Sequence, residues 1–543
     1  VKRSSIPKFD KSVTDDAIYS YLEALDCSSS LQVSILFRYK EYDQIANLSI
    51  DPKDFNNPES FRSSYLAVNF LSKNSFLKVT NNPKEDALKK FFDSELKCQV
   101  TNRRFRFLEK FPSQDLDMVF RVQDKIRLIL GDRPDIEALA DLSSWGPGAS
   151  TLIKSKDASS FKKFRDERGI TKEAAFICPL LKIAYPVLPD RLFCFETGDR
   201  VVVVPKTSKI DRVILIQPGW NLWFQKGIGK LIRRRLLVNG LRLNDSDSIN
   251  RQFCKIGSKT GFYSTVDFSS ASDQISYNLV ETLLPPLWFK LLDVFRCKKS
   301  ADGLHTWNKF SSMGNGYTFE LETLIFYALS LCVLERENII DVVSVFGDDI
   351  IIPTSAFNSF HHFSEVFGFS FNQKKSFSSG YFRESCGSHY FDGVDCKPIF
   401  LRKRITVIHD LYKLYNQIRL LAHRCNFAYG CDRRFQKVCA YLSNLCPKPF
   451  RFRISLGYGE VGFVSNFDES TPSKLKHGHQ GFSFKALISK PIRFDTDEFE
   501  LLLVRLTEHS DVSRQNSVEV KSRTSLSFKR LRCLEWYDLG PWL

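Results

Sequence analysis

Along the chain the apolar positions change their period several times, and each change predicts an element. Residues 101–180 show mostly helical spacing, interrupted at Trp145-Gly-Pro-Gly-Ala-Ser150, a strong turn signal. Val201 to Val204 is a β-branched run halted by Pro205, and Val213 to Ile216 is a second. Lys206, Lys209 and Arg212 lie between them, so this stretch predicts two strands joined by a basic loop. Trp220 to Leu237 has the pattern of an amphipathic helix ending in Arg233-Arg234-Arg235. Residues 262–268 predict a strand. Ser269 and Ser270 then offer an N-cap, with a helix expected from about Ala271 until Pro285-Pro286 breaks it. Residues 317–336 predict a long, mostly apolar helix, and Val342 to Ile352 a tight hairpin turning at Gly347-Asp348-Asp349 and stopped by Pro353. Residues 361–400 mix helix and strand signals, with turns at Ser379-Gly380 and Asp392-Gly393. The chain then looks helical to about 446, and the remainder is more strand-like, with a polar loop at 474–480. No internal repeat is present, and residues 1–100 carry little functional signal.

The length of 543 residues allows about three to four folding units, or one large domain with subdomains. With 43% hydrophobic and 26% charged residues, the chain is neither disordered nor collagenous nor a coiled coil. Lys and Arg exceed Asp and Glu by 16, which is compatible with a polyanionic partner such as nucleic acid. The 14 cysteines form no C-x-x-C pair. Cys425, Cys431, Cys439 and Cys446 have gaps that suggest one helix face and buried free thiols instead of a zinc site. No N-terminal signal is visible, since Val1-Lys2-Arg3-Ser4 runs into polar sequence. The longest apolar run, Leu324 to Leu334, is too short for a membrane span of about 20 residues. The expectation is a soluble, cytosolic protein with reduced thiols.

Chemistry concentrates at two places. Asp267 ends one short apolar strand, and Asp348 and Asp349 sit in the turn of an apolar hairpin. A carboxylate at the end of a buried strand is costly unless something compensates it, and a divalent metal does so. Mg²⁺ takes one or two carboxylates, waters and substrate phosphates, and a pair of ions suits in-line displacement at phosphorus. Gly-Asp-Asp alone is weak, because a surface turn is its usual meaning, but here both flanking arms are apolar. Between the two places lies Ser311-Ser-Met-Gly-Asn-Gly-Tyr-Thr318, leading into the long helix. Its glycines let backbone approach a ligand, although a plain capped loop reads equally well.

Together these motifs resemble the palm of viral RNA-directed RNA polymerases. Asp267-Phe-Ser-Ser-Ala-Ser-Asp273, Met313-Gly-Asn-Gly-Tyr-Thr-Phe-Glu-Leu-Glu322, Phe382-Arg-Glu-Ser-Cys-Gly387 and Gly393-Val-Asp-Cys-Lys-Pro398 are similar to the replicase catalytic subunit of positive-strand RNA bacteriophages, the Q-beta type. Val204-Pro-Lys-Thr-Ser-Lys-Ile-Asp-Arg212 and Phe224-Gln-Lys-Gly-Ile-Gly229 match as well. The likeness is strong over about residues 200–405 and weak before 140 and after 410.

The resemblance implies an α+β right-hand polymerase. An N-terminal region and fingers would occupy 1–260, a palm with an antiparallel sheet 261–400, and a thumb and C-terminal region 401–543. Asp267 and Asp348 would hold two Mg²⁺ ions, replaceable by Mn²⁺ or Ca²⁺, with Asp349 in support. Lys206, Lys209 and Arg212 would grip the ribonucleoside triphosphate; a solvated basic turn is the lesser alternative. Asp273 would sense the ribose 2′-hydroxyl from one turn into its helix, and Ser312, Gly314 and Asn315 would line the template–nucleotide loop. Lys374 or Lys375 would protonate pyrophosphate, Lys375 being favoured because it directly precedes Ser376-Phe377. Many such polymerases carry Asn where this chain has Glu322, so either Asn315 or Ser270 would cooperate with Asp273. Glu322 itself would face the metals or serve as a structural helix carboxylate. The resemblance further implies RNA template and nascent RNA as ligands and primer-independent initiation at a C-rich 3′ end. It also implies host elongation factors Tu and Ts and a ribosomal RNA-binding protein as partners, and a bacterial cytoplasm. The rival readings are a reverse transcriptase, which usually bars the 2′-hydroxyl with an aromatic residue, a non-catalytic RNA-binding or virion protein, and a metal nuclease, for which the nine scattered His offer no cluster.

Overall fold

The computed structural model describes residues 7–184, 193–426, 429–477, 479–495 and 517–543. It is an α+β molecule, as expected. Seven helices and nine strands suffice to place the site. The first helix, α1 (Pro83–Arg106), starts where Asn82 accepts a bond from the Lys84 amide, and acidic residues in its first turn and arginines in its last suit the helix dipole. Strands β1 (Arg200–Val204) and β2 (Arg212–Ile216) form the expected antiparallel hairpin around the basic loop. Then follow α2 (Gly219–Val238), α3 (Ser246–Thr260) and β3 (Tyr263–Val266).

The long apolar stretch is α4 (Thr318–Arg336), buried on nearly every side, which explains why it lacks a polar face. The hairpin is β4 (Ser344–Phe346) and β5 (Asp349–Pro353). With β3 it makes a three-stranded antiparallel sheet in which β5 is central, Val266 facing Ile350 and Val345 facing Ile350 from the other side. This places the end of β3 beside the β4–β5 turn. Helix α5 (Phe357–Val366) and the hairpin β6 (Phe382–Ser385) and β7 (Ser388–Phe391) complete this region.

Two large cores organise the molecule. One joins α2, α4 and the sheet, with Trp220, Trp223 and Trp288 fully buried. The other joins residues 17–77 to α6 (Ile408–Cys425), α7 (Gln436–Leu445) and the C-terminal tail. The tail contains a long antiparallel ribbon, β8 (Phe482–Asp495) and β9 (Ser517–Cys533). Residues at opposite ends of the chain therefore share one hydrophobic core.

Three local expectations are corrected. No α-helix starts at Ala271: residues 271–273 make one 3₁₀ turn, and the next helix begins at Tyr277. Ser270 caps nothing; it takes a left-handed backbone conformation at φ 62°. Cys425, Cys431, Cys439 and Cys446 do not share a helix, because the chain leaves α6 after Cys425 and re-enters helix at Gln436. All four are nevertheless buried and free, as expected.

Candidate active site

Asp267 follows directly on β3, and Asp348 occupies the β4–β5 turn, so the antiparallel register brings them to one cleft. Gly347 makes the turn possible at φ 63°, and its amide donates to Thr323 Oγ1 of α4 at 3.0 Å. A Cβ there would meet the Phe319 ring at 2.8 Å and Glu322 Oε1 at 3.0 Å. Gly347→Ala is expected to lower stability by about 1–3 kcal/mol, through left-handed strain and the clash together, measurable by denaturant unfolding.

The segment after α5 braces Asp267. Asn372 donates through Nδ2 to Asp267 Oδ2 at 2.7 Å, and Ser376 Oγ accepts from the Asp267 amide at 3.2 Å. Asp349 Oδ1 accepts from the Cys386 amide at 3.1 Å. Burial raises all three carboxyls: Asp267 to about 6 and Asp349 to about 7, with the Asp348 charge adding to the rise at both. Acidic groups crowded together with few compensating donors suit a cation. Among the described residues no three acidic, His or Cys side chains form a complete cage. That is compatible with Mg²⁺, which takes most of its shell from water and substrate phosphates.

Glu322 lies buried beneath the turn, and its Oε2 has no hydrogen-bond partner among the described residues. Burial, then the Asp348 charge, pushes its carboxyl well up.

Opposite the carboxylates stand the cations. The cleft, about 630 Å³, is lined by Lys206, Arg212 and Lys375 together with Asp267, Asp348 and Asp273. Lys206 lies open at the mouth, yet desolvation and then Arg212, Lys90 and Lys375 lower its ammonium to about 8. Lys375 sits 3.6 Å from Glu384 of β6, which raises its ammonium, with Asp267 and Asp349 adding to the rise. Lys209 and Lys374 are exposed and lie outside the cleft lining.

Asp273 lines the cleft from the 3₁₀ turn. Its Oδ1 accepts from Ser312 Oγ at 2.5 Å and from Lys309 Nζ at 3.3 Å. The hydroxyl that joins it is thus that of Ser312, whereas Asn315 Oδ1 accepts from the Tyr317 amide at the start of α4. Gly314, at φ 115°, rests against β2, where a Cβ would stand 2.1 Å from the Leu215 carbonyl. Gly314 and Asn315 therefore fasten the loop behind the cleft wall. Asn372 and Lys309 carry no motif of their own and act across a long stretch of chain, and Glu384, though inside the Phe382–Gly387 motif, gave no local sign of its pairing with Lys375.

The family described as RNA replicase, beta-chain, matches residues 25–451. Over 432 residues the chain is 37% identical to the RNA-directed RNA polymerase subunit beta of Escherichia virus Qbeta, covering 77% of this chain and 72% of that one. The corresponding subunit of Qbeta virus strain MX1 is 40% identical over 68% of this chain and 64% of its own. The RNA-directed RNA polymerase beta chain of Enterobacteria phage fr is 34% identical over 78% of both. A solved structure of the BmCPV RNA-dependent RNA polymerase at elongation state overlays 80% of this chain and 44% of that one, at a TM-score of 0.37 and 11% identity.

Proposed function

The chain belongs to the RNA replicase beta-chain family of RNA-phage RNA-directed RNA polymerases, and on that footing we propose that it extends RNA by templated nucleotidyl transfer, using two Mg²⁺ ions and no primer. The observation that carries the reading is the meeting of Asp267 and Asp348 in one cleft with Lys206, Arg212 and Lys375. Binding alone does not need the paired, half-buried carboxylates, which argues against a non-catalytic RNA-binding or virion protein.

Asp267 and Asp348 would hold the ions, with Asp349 beside them. When bound, Mg²⁺ supplies the charge that lowers the pKa of the attacking 3′-hydroxyl and neutralises the leaving pyrophosphate. Lys206 and Arg212 hold the triphosphate in line for attack; Lys209 supplies longer-range attraction. Lys375 delivers a proton to the departing pyrophosphate. Asp273 accepts from the ribose 2′-hydroxyl, which favours a polymerase of RNA over a reverse transcriptase. Ser312 orients Asp273, and Gly314 and Asn315 hold the loop that carries Ser312.

In this reading the palm spans 261–400, the fingers lie before it, and the thumb follows 400 with residues 17–77 packed against its core. The proposed setting is the cytoplasm of a bacterial host, with elongation factors Tu and Ts and a ribosomal RNA-binding protein as partners. Among the described residues no helix is long and apolar enough to cross a membrane.

The deciding experiment is primer-free incorporation of ribonucleotides on an RNA template with Mg²⁺, with and without bacterial elongation factors. No product under either condition would sink the proposal. A pH profile tests the basic hairpin. The Lys206 ammonium is lowered to about 8, so the cation is present below that pH and is lost as pH rises through it. The kcat/KM for nucleotide is expected to fall above pH about 8, and Lys206→Arg is expected to flatten that limb, because guanidinium stays charged.

A further inference from the structure

Lys309 belongs to no motif recognised in the chain, yet it is 1% exposed and held from four directions. Its backbone is bridged to Ser276, and the neighbouring Phe310 amide donates to the Ile275 carbonyl at 2.7 Å. This ties it to the segment that leaves Asp273. Its ammonium lies 3.3 Å from Asp273 Oδ1 and 3.6 Å from Glu95 Oε2, and 3.5 Å from the centre of the Phe91 ring.

Phe91, Glu95, Cys98 and Asn102 follow helical spacing along one face of α1, so one stripe of that helix lies against the site. Glu95 accepts from the Asn308 amide, Cys98 reaches the Asp273 carbonyl at 3.3 Å, and Asn102 donates to the Asn308 carbonyl at 2.8 Å. A buried ammonium needs compensation by charge and ring, and here both are fixed by packing. Both donors to Asp273, Ser312 and Lys309, meet the same oxygen, Oδ1, and among the described residues no hydrogen bond reaches Oδ2. The carboxylate is thereby pinned through one oxygen, with the other left for the cleft that Asp273 lines.

We propose that Lys309 is a positioning residue for sugar selection, holding Asp273 so that its second oxygen meets the ribose 2′-hydroxyl, with Glu95 and Phe91 of α1 holding Lys309 in turn. The proposal rests on the reading of Asp273 as the ribose sensor. A hydroxyl-reading site gains its selectivity from a fixed acceptor, because a loosely held one pairs equally well with water. Without Lys309, Asp273 and Glu95 would face each other uncompensated and draw apart.

The test is the ratio of kcat/KM for a ribonucleotide to that for the matching 2′-deoxynucleotide, on an RNA template with Mg²⁺. Lys309→Met is expected to lower the ratio by about tenfold or more, through a higher ribonucleotide KM, with the deoxynucleotide constant little changed. Lys309→Arg is expected to restore part of the ratio. A Met variant that lost both sugars equally, or kept the wild-type ratio, would overturn the proposal. If thermal unfolding shows the Met variant misfolded, Lys309→Gln takes its place with the same expected and overturning results. Asp273→Asn is measured alongside. An unchanged ratio there would defeat the ribose-sensor reading and this proposal with it; a lowered ratio there beside an unchanged one in the Lys309 variants would defeat this proposal alone.

Discussion

Asp348→Ala is expected to abolish RNA synthesis, with a loss on the order of a thousandfold or more, while RNA binding stays near wild type. Asp348 stands at the turn where burial raises its carboxyl and where Lys206, Arg212 and Lys375 pull it back down. The side chain is placed against its own electrostatic preference, so replacing it should not destabilise the fold. Template affinity is governed mainly by Lys and Arg on phosphates, and the Ala change leaves those in place. The measurements are nucleotide incorporation and the anisotropy of a labelled RNA, together with the rise in melting temperature on adding Mg²⁺. The Mg²⁺-dependent rise should shrink in the variant. Retention of more than a few per cent of activity would show that Asp348 is no metal ligand.

The second large effect is expected at Lys375. Lys375→Leu should lower kcat by about a hundredfold with little change in nucleotide KM, the pattern of a lost general acid. Its ammonium is stabilised by Glu384 first, then by Asp267 and Asp349, so the proton is in place before substrate arrives. The ion pair with Glu384 at 3.6 Å also aims it into the cleft. Lys374→Leu, one residue away but exposed outside the lining, should leave kcat within about threefold. Single-turnover kinetics in the pre-steady state separate the chemical step from product release. Equal losses in the two variants would mean that the doublet acts only as a charged surface.

Much of the site was legible in the sequence, because its carboxylates sit where short apolar runs end. A β-branched run that stops at an Asp, and a hairpin whose turn is Gly-Asp-Asp, carry their own local signals, and the observed strands differ from the expected ones by only a residue or two. The long helix and the basic hairpin were legible for the same reason. The 3₁₀ turn at 271–273 was not. Two serines before a helical pattern normally mark a cap, but here Gln274 donates to the Ser269 carbonyl and accepts from the Ser370 amide. The Ser370 bond, with the one from the Ser269 amide back to the Ser370 carbonyl at 2.9 Å, ties the turn to a distant segment and overrides the local preference.

What the sequence determined by itself is the chemistry on offer and the local shape that presents it. That comprises the acids at strand ends, the cations in a loop, the glycines where the backbone must turn, and the motif order that marks the family. What the tertiary structure alone decided is which groups act together. Lys375 pairs with Glu384, Ser312 and not Asn315 meets Asp273, Lys309 is trapped between Asp273 and Glu95, and residues 17–77 close the core of α6 and α7. The physical reason is range. Strand period, turn propensity and capping are settled within a few residues, whereas a buried ion pair or a shared core depends on apolar faces meeting from distant parts of the chain.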